Sequence, residues 1–111
     1  MISVCMMRFP GGRLCGFSSR GHAGYAASGK DIVCAAVSAL TQTCVIGLTE
    51  VIGLDADVRC SEEDGIHCMI RPETDAEGQR KAELLLETLQ AGLASIQASY
   101  PGTLKIRVRE V

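Results

Sequence analysis

Short apolar runs alternate with turn residues along the start of the chain, before a long apolar segment begins. Residues 2–9 and 13–18 predict two strands, and a Pro-Gly-Gly turn at 10–12 joins them. Across residues 30–52 the apolar positions recur at helical spacing, and Gly53 is placed to end that helix. The pattern therefore predicts a hairpin followed by a long helix.

A second hairpin is predicted where two short apolar patterns flank an acidic turn that ends in glycine. Its strands are residues 57–62 and 66–71, and its loop is 63–65. The expected register pairs Glu62 with Ile66, Cys60 with Cys68, and Val58 with Ile70. This register puts the apolar residues on one face. We expect Cys60 and Cys68 to be reduced. The alternative is that they form a strained cross-strand disulfide in an oxidised sample.

Residues 75–99 predict a second helix, and residues 103–110 predict a final strand with one buried face. The expected buried stripe of the helix comprises Leu85, Leu89, Gly92, Leu93 and Ile96. In the strand, Leu104, Ile106 and Val108 are expected to be buried and to alternate with Lys105, Arg107 and Arg109. The order ββαββαβ predicts a two-layer α+β domain, in which a mostly antiparallel or mixed sheet carries both helices on one face. We expect one domain over residues 1–111, with the other sheet face available for dimerisation.

Composition narrows the class of protein. The chain has 111 residues, is 47% hydrophobic and carries a formal net charge of −2, so no strong sequence-independent attraction to nucleic acid is expected. Residues 1–10 do not resemble a secretory signal. The apolar stretches at 32–39 and 51–54 are shorter than the roughly 20 residues of a membrane span. We therefore expect a cytoplasmic protein with no membrane partner and no direct nucleic-acid partner.

Six cysteines are the unusual feature of this composition. They lie at positions 5, 15, 34, 44, 60 and 68. This spacing contains no CxxC pair, and neither histidine lies near a second histidine, so neither a structural zinc site nor another metal or cofactor is expected. In a reducing cytosol most of these thiols would serve as small buried hydrophobic groups.

Cys34 differs from Cys44 when the first helix is drawn at about 100° per residue. The expected core stripe comprises Val33, Val37, Leu40, Cys44, Gly47, Leu48 and Val51. Cys34 lies on the border of this stripe, beside Ser38 and Thr41, and near the start of the helix. Either Ser28 or Asp31 could cap that start. The positive end of a helix dipole favours the reactive thiolate form of a cysteine.

A reactive thiol also needs a base, and His22 is the candidate. It lies in the loop before the helix, between Gly21 and Gly24, where glycines give the backbone freedom to move. His67 is the alternative, but strand alternation directs it away from the apolar face. On these residues alone, a packed cysteine and an unrelated loop histidine remain the simpler interpretation.

Two adjoining motifs change this balance. GHAGYA at 21–26 and GKDIVCAAVS at 29–38 together resemble the signature of the ribosomal-processing cysteine protease family, called Prp. The resemblance implies that Cys34 is the nucleophile and His22 the base. It also implies a loop that binds substrate, with Gly21, Ala23, Gly24, Tyr25, Ser28 and Gly29 as its candidate residues, and secondary roles for Asp31 and Ser38.

The resemblance further implies a substrate and an assembly. Members of this family remove a short N-terminal extension from large-subunit ribosomal protein twenty-seven during ribosome assembly, and they are homodimers. Two other classes stay open for this chain: a non-catalytic assembly adaptor that binds the same extension, and a thiol-based redox sensor. An RNA-binding module is weakly supported, because the sequence shows no platform of aromatic and basic residues.

Overall fold

A five-stranded sheet supports two helices on one face. The structure, a computed structural model, describes residues 1–21 and 30–111. Its elements are β1 (Ile2–Arg8), β2 (Leu14–Arg20), α1 (Lys30–Ile46) with a π-helical continuation (Gly47–Val51), β3 (Ala56–Ser61), β4 (Gly65–Ile70), α2 (Ala76–Ser99) and β5 (Leu104–Glu110). The strand order is β3-β4-β2-β1-β5, and only the β1–β5 pair is parallel. The predicted α+β fold with the order ββαββαβ is confirmed.

Strand alternation decides which sheet face holds the core. On β1, Ile2, Val4 and Met6 are almost completely buried, and Phe17 of β2 lies opposite Met6. These residues pack with the buried stripes of α1 and α2 in a single cluster. The intervening residues of each strand point away from the helices, and we call that side of the sheet the outer face.

The end of α1 departs from the predicted periodicity. The N–H of Ile52 donates to the carbonyl of Gly47 at 2.9 Å, a π-helical bond that accommodates more residues per turn than an α-helix. Val51 therefore turns outward and is 80% exposed, so its prediction as a core residue was wrong. Gly47 allows the close approach of α2, because a Cβ there would lie 2.6 Å from a Leu85 methyl carbon.

The helical segment Ile32–Val51 is longer than the short apolar stretches at 32–39 and 51–54 on which the expectation about membranes was based. By length and composition it could cross a membrane, with a mean hydropathy of 1.8 over 20 residues. In this fold the segment instead supplies Val33, Val37, Cys44 and Leu48 to the core. A core helix passes the same compositional test, and packing on α2 and the sheet accounts for these four residues, whereas Ile32, Ile46 and Val51 are exposed.

The β3–β4 hairpin forms in a different register from the predicted one. Its pairs are Ala56 with Ile70, Val58 with Cys68, Cys60 with Ile66, and Ser61 with Gly65. The loop closes one residue earlier than expected, because the Ser61 hydroxyl accepts a hydrogen bond from the Asp64 N–H at 2.9 Å. Cys60 therefore does not lie opposite Cys68, and the proposed cross-strand pairing of these two thiols was wrong.

The predicted bounds of α2 and β5 agree with the structure, but some of the residues predicted to be buried do not. The Asp75 carboxylate accepts from the Gly78 N–H at 2.7 Å and caps α2, as the predicted helix start implied. Leu86, which the predicted stripe omitted, is completely buried. Val108 of β5 is 47% exposed instead of buried, because it lies in an edge strand near the end of the helical layer.

Candidate active site

Cys34 faces a cavity between α1 and the β3–β4 hairpin. It is the fifth residue of α1 and is half-buried. The cavity has a volume of about 230 Å³. Its described lining comprises Ile2, Ser19, Arg20, Gly21, Cys34, Val37, Ser38, Thr41, Gln42, Cys60, Ser61, Glu62, Gly65 and Ile66. One thiol near the start of a helix therefore borders a space large enough for an amino-acid side chain.

The wall formed by α1 carries two hydroxyl groups with different roles. Thr41 is only 2% exposed, and its hydroxyl donates to the carbonyls of Val37 at 2.9 Å and Ser38 at 3.2 Å. These bonds satisfy the hydrogen-bonding capacity of the hydroxyl within the helix. They explain how Thr41, which was predicted at the border of the core, tolerates burial. Ser38 is exposed one turn beyond Cys34, so its side chain can contact a bound molecule.

The facing wall comes from the β3–β4 hairpin, which no sequence pattern connects with Cys34. Cys60, Ser61 and Glu62 reach the cavity, and Gly65 lets the hairpin pack tightly on β2. Gly65 has a φ of +77°, and a Cβ there would collide with the carbonyl oxygen of Ser19. No local pattern could have identified this wall, because its place depends on the packing of distant segments.

The buried cysteines differ chemically from those at the cavity. Burial raises the pKa of the Cys15 thiol to about 11, of Cys44 to about 12, and of Cys68 to about 11. The thiolate is the nucleophilic form, so these three side chains are inert packing groups near neutral pH. Cys60 is exposed, and it borders the cavity from the end of a strand instead of the start of a helix.

The alternative histidine lies elsewhere. His67 points to the outer face, as strand alternation predicted, and its Nε2 lies 3.9 Å from an Asp57 carboxylate oxygen. It does not line the cavity beside Cys34. Within the described parts of the chain, no group of three or more His, Cys, Asp and Glu side chains could hold a metal ion.

The predicted site residues divide into two groups. Gly21, Cys34 and Ser38 meet at the cavity, and Gly21 has a φ of +95°. Asp31 lies within the first turn of α1, so of the two alternative caps it is not the residue that precedes the helix. The predictions for His22, Ala23, Gly24, Tyr25, Ser28 and Gly29 fall outside the described residues.

A half-buried thiol, a helix start and a side-chain-sized cavity define the kind of site that a thiol hydrolase uses on an acyl substrate. The family model described as Cysteine protease Prp matches residues 1–105. The chain belongs to this family of ribosomal-processing cysteine proteases.

Individual relatives agree over nearly the whole chain. Ribosomal processing cysteine protease Prp from Bacillus subtilis (strain 168) is 30% identical over 107 residues, which is 96% of each sequence. SMU.848 from Streptococcus mutans has a TM-score of 0.81 at 27% identity, covering 100% of this chain and 96% of that one. The essential ribosomal processing protease Prp from S. aureus, in complex with a substrate peptide, has a TM-score of 0.80 at 22% identity and covers 98% and 100%.

Proposed function

We propose that this protein is a cysteine endopeptidase that removes the short N-terminal extension of large-subunit ribosomal protein twenty-seven during ribosome assembly. Cys34 is the nucleophile and His22 the general base. The observation that carries the proposal is the position of Cys34, at the start of a helix and on a cavity, in a chain of the Prp family.

Support for a peptide substrate comes from the cavity and from a relative. The cavity is lined by the apolar residues Ile2, Val37 and Ile66 and by the polar residues Ser38 and Glu62. A site of this kind can hold one side chain of a peptide while its backbone stays near the surface. The S. aureus structure with the same fold holds a substrate peptide.

The chemistry follows from these groups. The Cys34 thiolate attacks the scissile carbonyl, and the peptide C–N bond breaks to give a thioester and a free amine. His22 takes the thiol proton and returns it to the leaving amine, then removes a proton from the water that hydrolyses the thioester. Backbone N–H groups at the start of α1 or in the loop before it stabilise the oxyanion. Ser38 contacts the substrate from the cavity wall.

The proposed setting follows the same family. The substrate is a ribosomal protein precursor, the enzyme is a cytoplasmic homodimer, and catalysis needs neither a metal nor an organic cofactor. Loop residues 21–29 bind the extension, and Asp31 has a secondary role.

A cleavage assay with matched cysteine variants tests this proposal. The extended ribosomal protein is incubated under reducing conditions with the wild type, Cys34→Ala or Cys60→Ala, and the products are read by mass spectrometry. We expect wild type and Cys60→Ala to release the same extension, because Cys60 borders the cavity without a helix start. Cys34→Ala should lose at least about 10⁴-fold in rate, because it lacks the nucleophile.

Folding of each variant is checked by circular dichroism and thermal unfolding. Wild-type cleavage by Cys34→Ala would eliminate the nucleophile assignment, and loss of cleavage in Cys60→Ala alone would move it to the hairpin. A wild type that binds the precursor and never cuts it would favour the adaptor class.

A further inference from the structure

The net charge of −2 conceals an uneven distribution between the two sides of the sheet. Pairing across the strands defines two rows on the outer face. One row runs Arg59, His67, Ser18, Cys5 and Arg107, and the next runs Asp57, Met69, Gly16, Met7 and Arg109. Asp57 is the only carboxylate in these rows, and it is already bonded to Arg59 at 2.9 Å.

Three cations lie on the β5 side of this face: Arg107 and Arg109 end the two rows, and Lys105 lies in a third row with Ser3 and Arg20. Lys105, Arg107 and Arg109 are all exposed, and their partners on β1 are the uncharged Ser3, Cys5 and Met7. None of the three forms an ion pair with a carboxylate among residues 1–21 and 32–111. The one described bond of these side chains runs from the Arg109 guanidinium to the Met7 sulfur, at 3.9 Å. The cations of the helical layer behave differently, since Arg80 and Lys81 both contact Glu77.

The spacing of the three cations is regular because they alternate along one strand. Residues two apart in a strand lie about 6.6–6.8 Å apart on the same face. This spacing is close to that of successive phosphates along an extended nucleic-acid strand, so the three side chains can each meet one phosphate. The imidazole of His67, on β4 and three strands from β5, is the one aromatic ring in the two rows, so the β5 side of the face has no platform on which bases could stack.

We infer that the outer face along β5, with Lys105, Arg107 and Arg109, binds the phosphate backbone of RNA without reading its sequence. This inference departs from the expectation, based on net charge and the lack of an aromatic platform, that the protein has no direct nucleic-acid partner. The cations supply charge at the right interval, and the missing aromatic platform leaves the bases unrecognised. This is a second binding surface, on the opposite side of the sheet from the Cys34 cavity. Binding here would hold the protease on RNA, near a substrate that is a ribosomal protein. The choice of RNA as the ligand rests on the proposed function.

Other occupants fit the same face less well. A second copy related by a two-fold axis through β5 would bring three cations against three more, which charge repulsion opposes. A membrane-bound face would need exposed apolar or aromatic side chains to enter the headgroup region. On β1 beside the cations, Met7 is buried and Cys5 is half-buried. RNA needs only the exposed charges.

Fluorescence anisotropy with labelled oligouridine tests the inference. The double variant Arg107→Glu/Arg109→Glu is compared with the wild type and with Arg80→Glu/Lys81→Glu, which changes the net charge equally on α2. Three phosphate contacts to a single strand predict that wild-type affinity falls about 20-fold between about 50 and 200 mM salt. The β5 variant should lose at least about ten-fold in affinity and most of the salt dependence, while the α2 variant stays within about two-fold.

Each result decides the inference. Undetectable wild-type binding at the lower salt, equal binding by the β5 variant, or an equal loss in the α2 variant would overturn it, as would binding to phosphatidylglycerol vesicles without binding to RNA. If the charge reversal does not fold, Arg107→Gln/Arg109→Gln replaces it, with a smaller loss expected. Cleavage of a short substrate peptide is measured alongside and should be unchanged. A wild type that cleaves but binds no RNA rejects this inference alone, and one that binds RNA but never cleaves rejects the proposed function.

Discussion

Two cysteines on α1 have the same chemical group and different surroundings. Cys34 is half-buried and faces the cavity, whereas Cys44 is 3% exposed within the core. Burial, and then the neighbouring Cys68, raise the pKa of Cys44 to about 12. The comparison shows that position along and around a helix, more than residue type, decides whether a thiol is available for chemistry.

The two ends of the helix differ because they pack on different partners. The C-terminal part lies against α2, where Gly92 meets Leu40 and Gly47 meets Leu85 at close range. The part that carries Cys34 borders the β3–β4 hairpin, which leaves a cavity instead of a filled contact. One helix thus supplies core packing at one end and a reactive surface at the other.

Thiol labelling should show the largest difference between the two cysteines. With a pKa of about 12, only about one Cys44 side chain in ten thousand is a thiolate at pH 8, and burial further limits access. We expect iodoacetamide to modify Cys34 and Cys60 at least about 10³-fold faster than Cys44, as measured by peptide mapping over time. In concentrated urea all six cysteines should react at similar rates. Equal labelling of Cys34 and Cys44 in the native protein would remove the distinction.

Alkaline pH should destabilise the fold through the buried thiols. Above the ordinary thiol pKa of 9.0 the unfolded chain releases protons that folded Cys15, Cys44 and Cys68 retain. The stability that these thiols contribute is therefore complete below pH 9 and is lost as the pH rises toward 11 for Cys15 and Cys68 and toward 12 for Cys44, by about 1.4 kcal/mol per pH unit for each thiol. Urea unfolding between pH 8 and about 10.5 measures this slope. Cys44→Ala should reduce by about a third the slope of stability against pH that the three thiols cause. An unchanged slope would contradict the raised pKa of Cys44.

Stability at neutral pH should show the smallest difference. Cys44→Ala leaves a small cavity in the core, so we expect the free energy of unfolding to fall by about 1–2 kcal/mol while peptide cleavage persists. Cys34→Ala, beside a cavity that already exists, should change it by less than about 0.5 kcal/mol. Urea unfolding at pH 7 distinguishes the two variants. A larger loss for Cys34→Ala would mean that its thiol contributes to packing.

Local patterns predicted the elements of the fold well, because periodicity and turn residues act over short distances. The helical period placed Val33, Val37 and Cys44 on the core side of α1, and strand alternation placed His67 on the outer face. The same period failed at Val51, because a π-helical bond changed the number of residues per turn. The hairpin register failed because a side-chain bond at Ser61 closed the turn early.

The candidate site was predictable only in part. The helix dipole and the position on the helix distinguished Cys34 from Cys44, and the family resemblance implied that Cys34 is the nucleophile. The facing wall of Cys60 and Glu62 required the tertiary packing of a hairpin onto another sheet strand, for which the sequence contains no short-range signal. Thr41 shows the same limit, since its internal hydrogen bonds made burial of a polar residue tolerable.

The parallel pairing of β1 with β5 has a consequence for how the molecule assembles. Ile2 pairs with Leu104, so this contact closes a chain segment of about a hundred residues, and such long-range contacts form late and slow folding. Until β5 docks, β1 is an open edge whose backbone groups can pair with another chain. The newly made protein therefore passes through a stage in which its first strand, β1, is unpaired on one edge until its last strand, β5, is added. That stage, more than the finished fold, is where aggregation would begin.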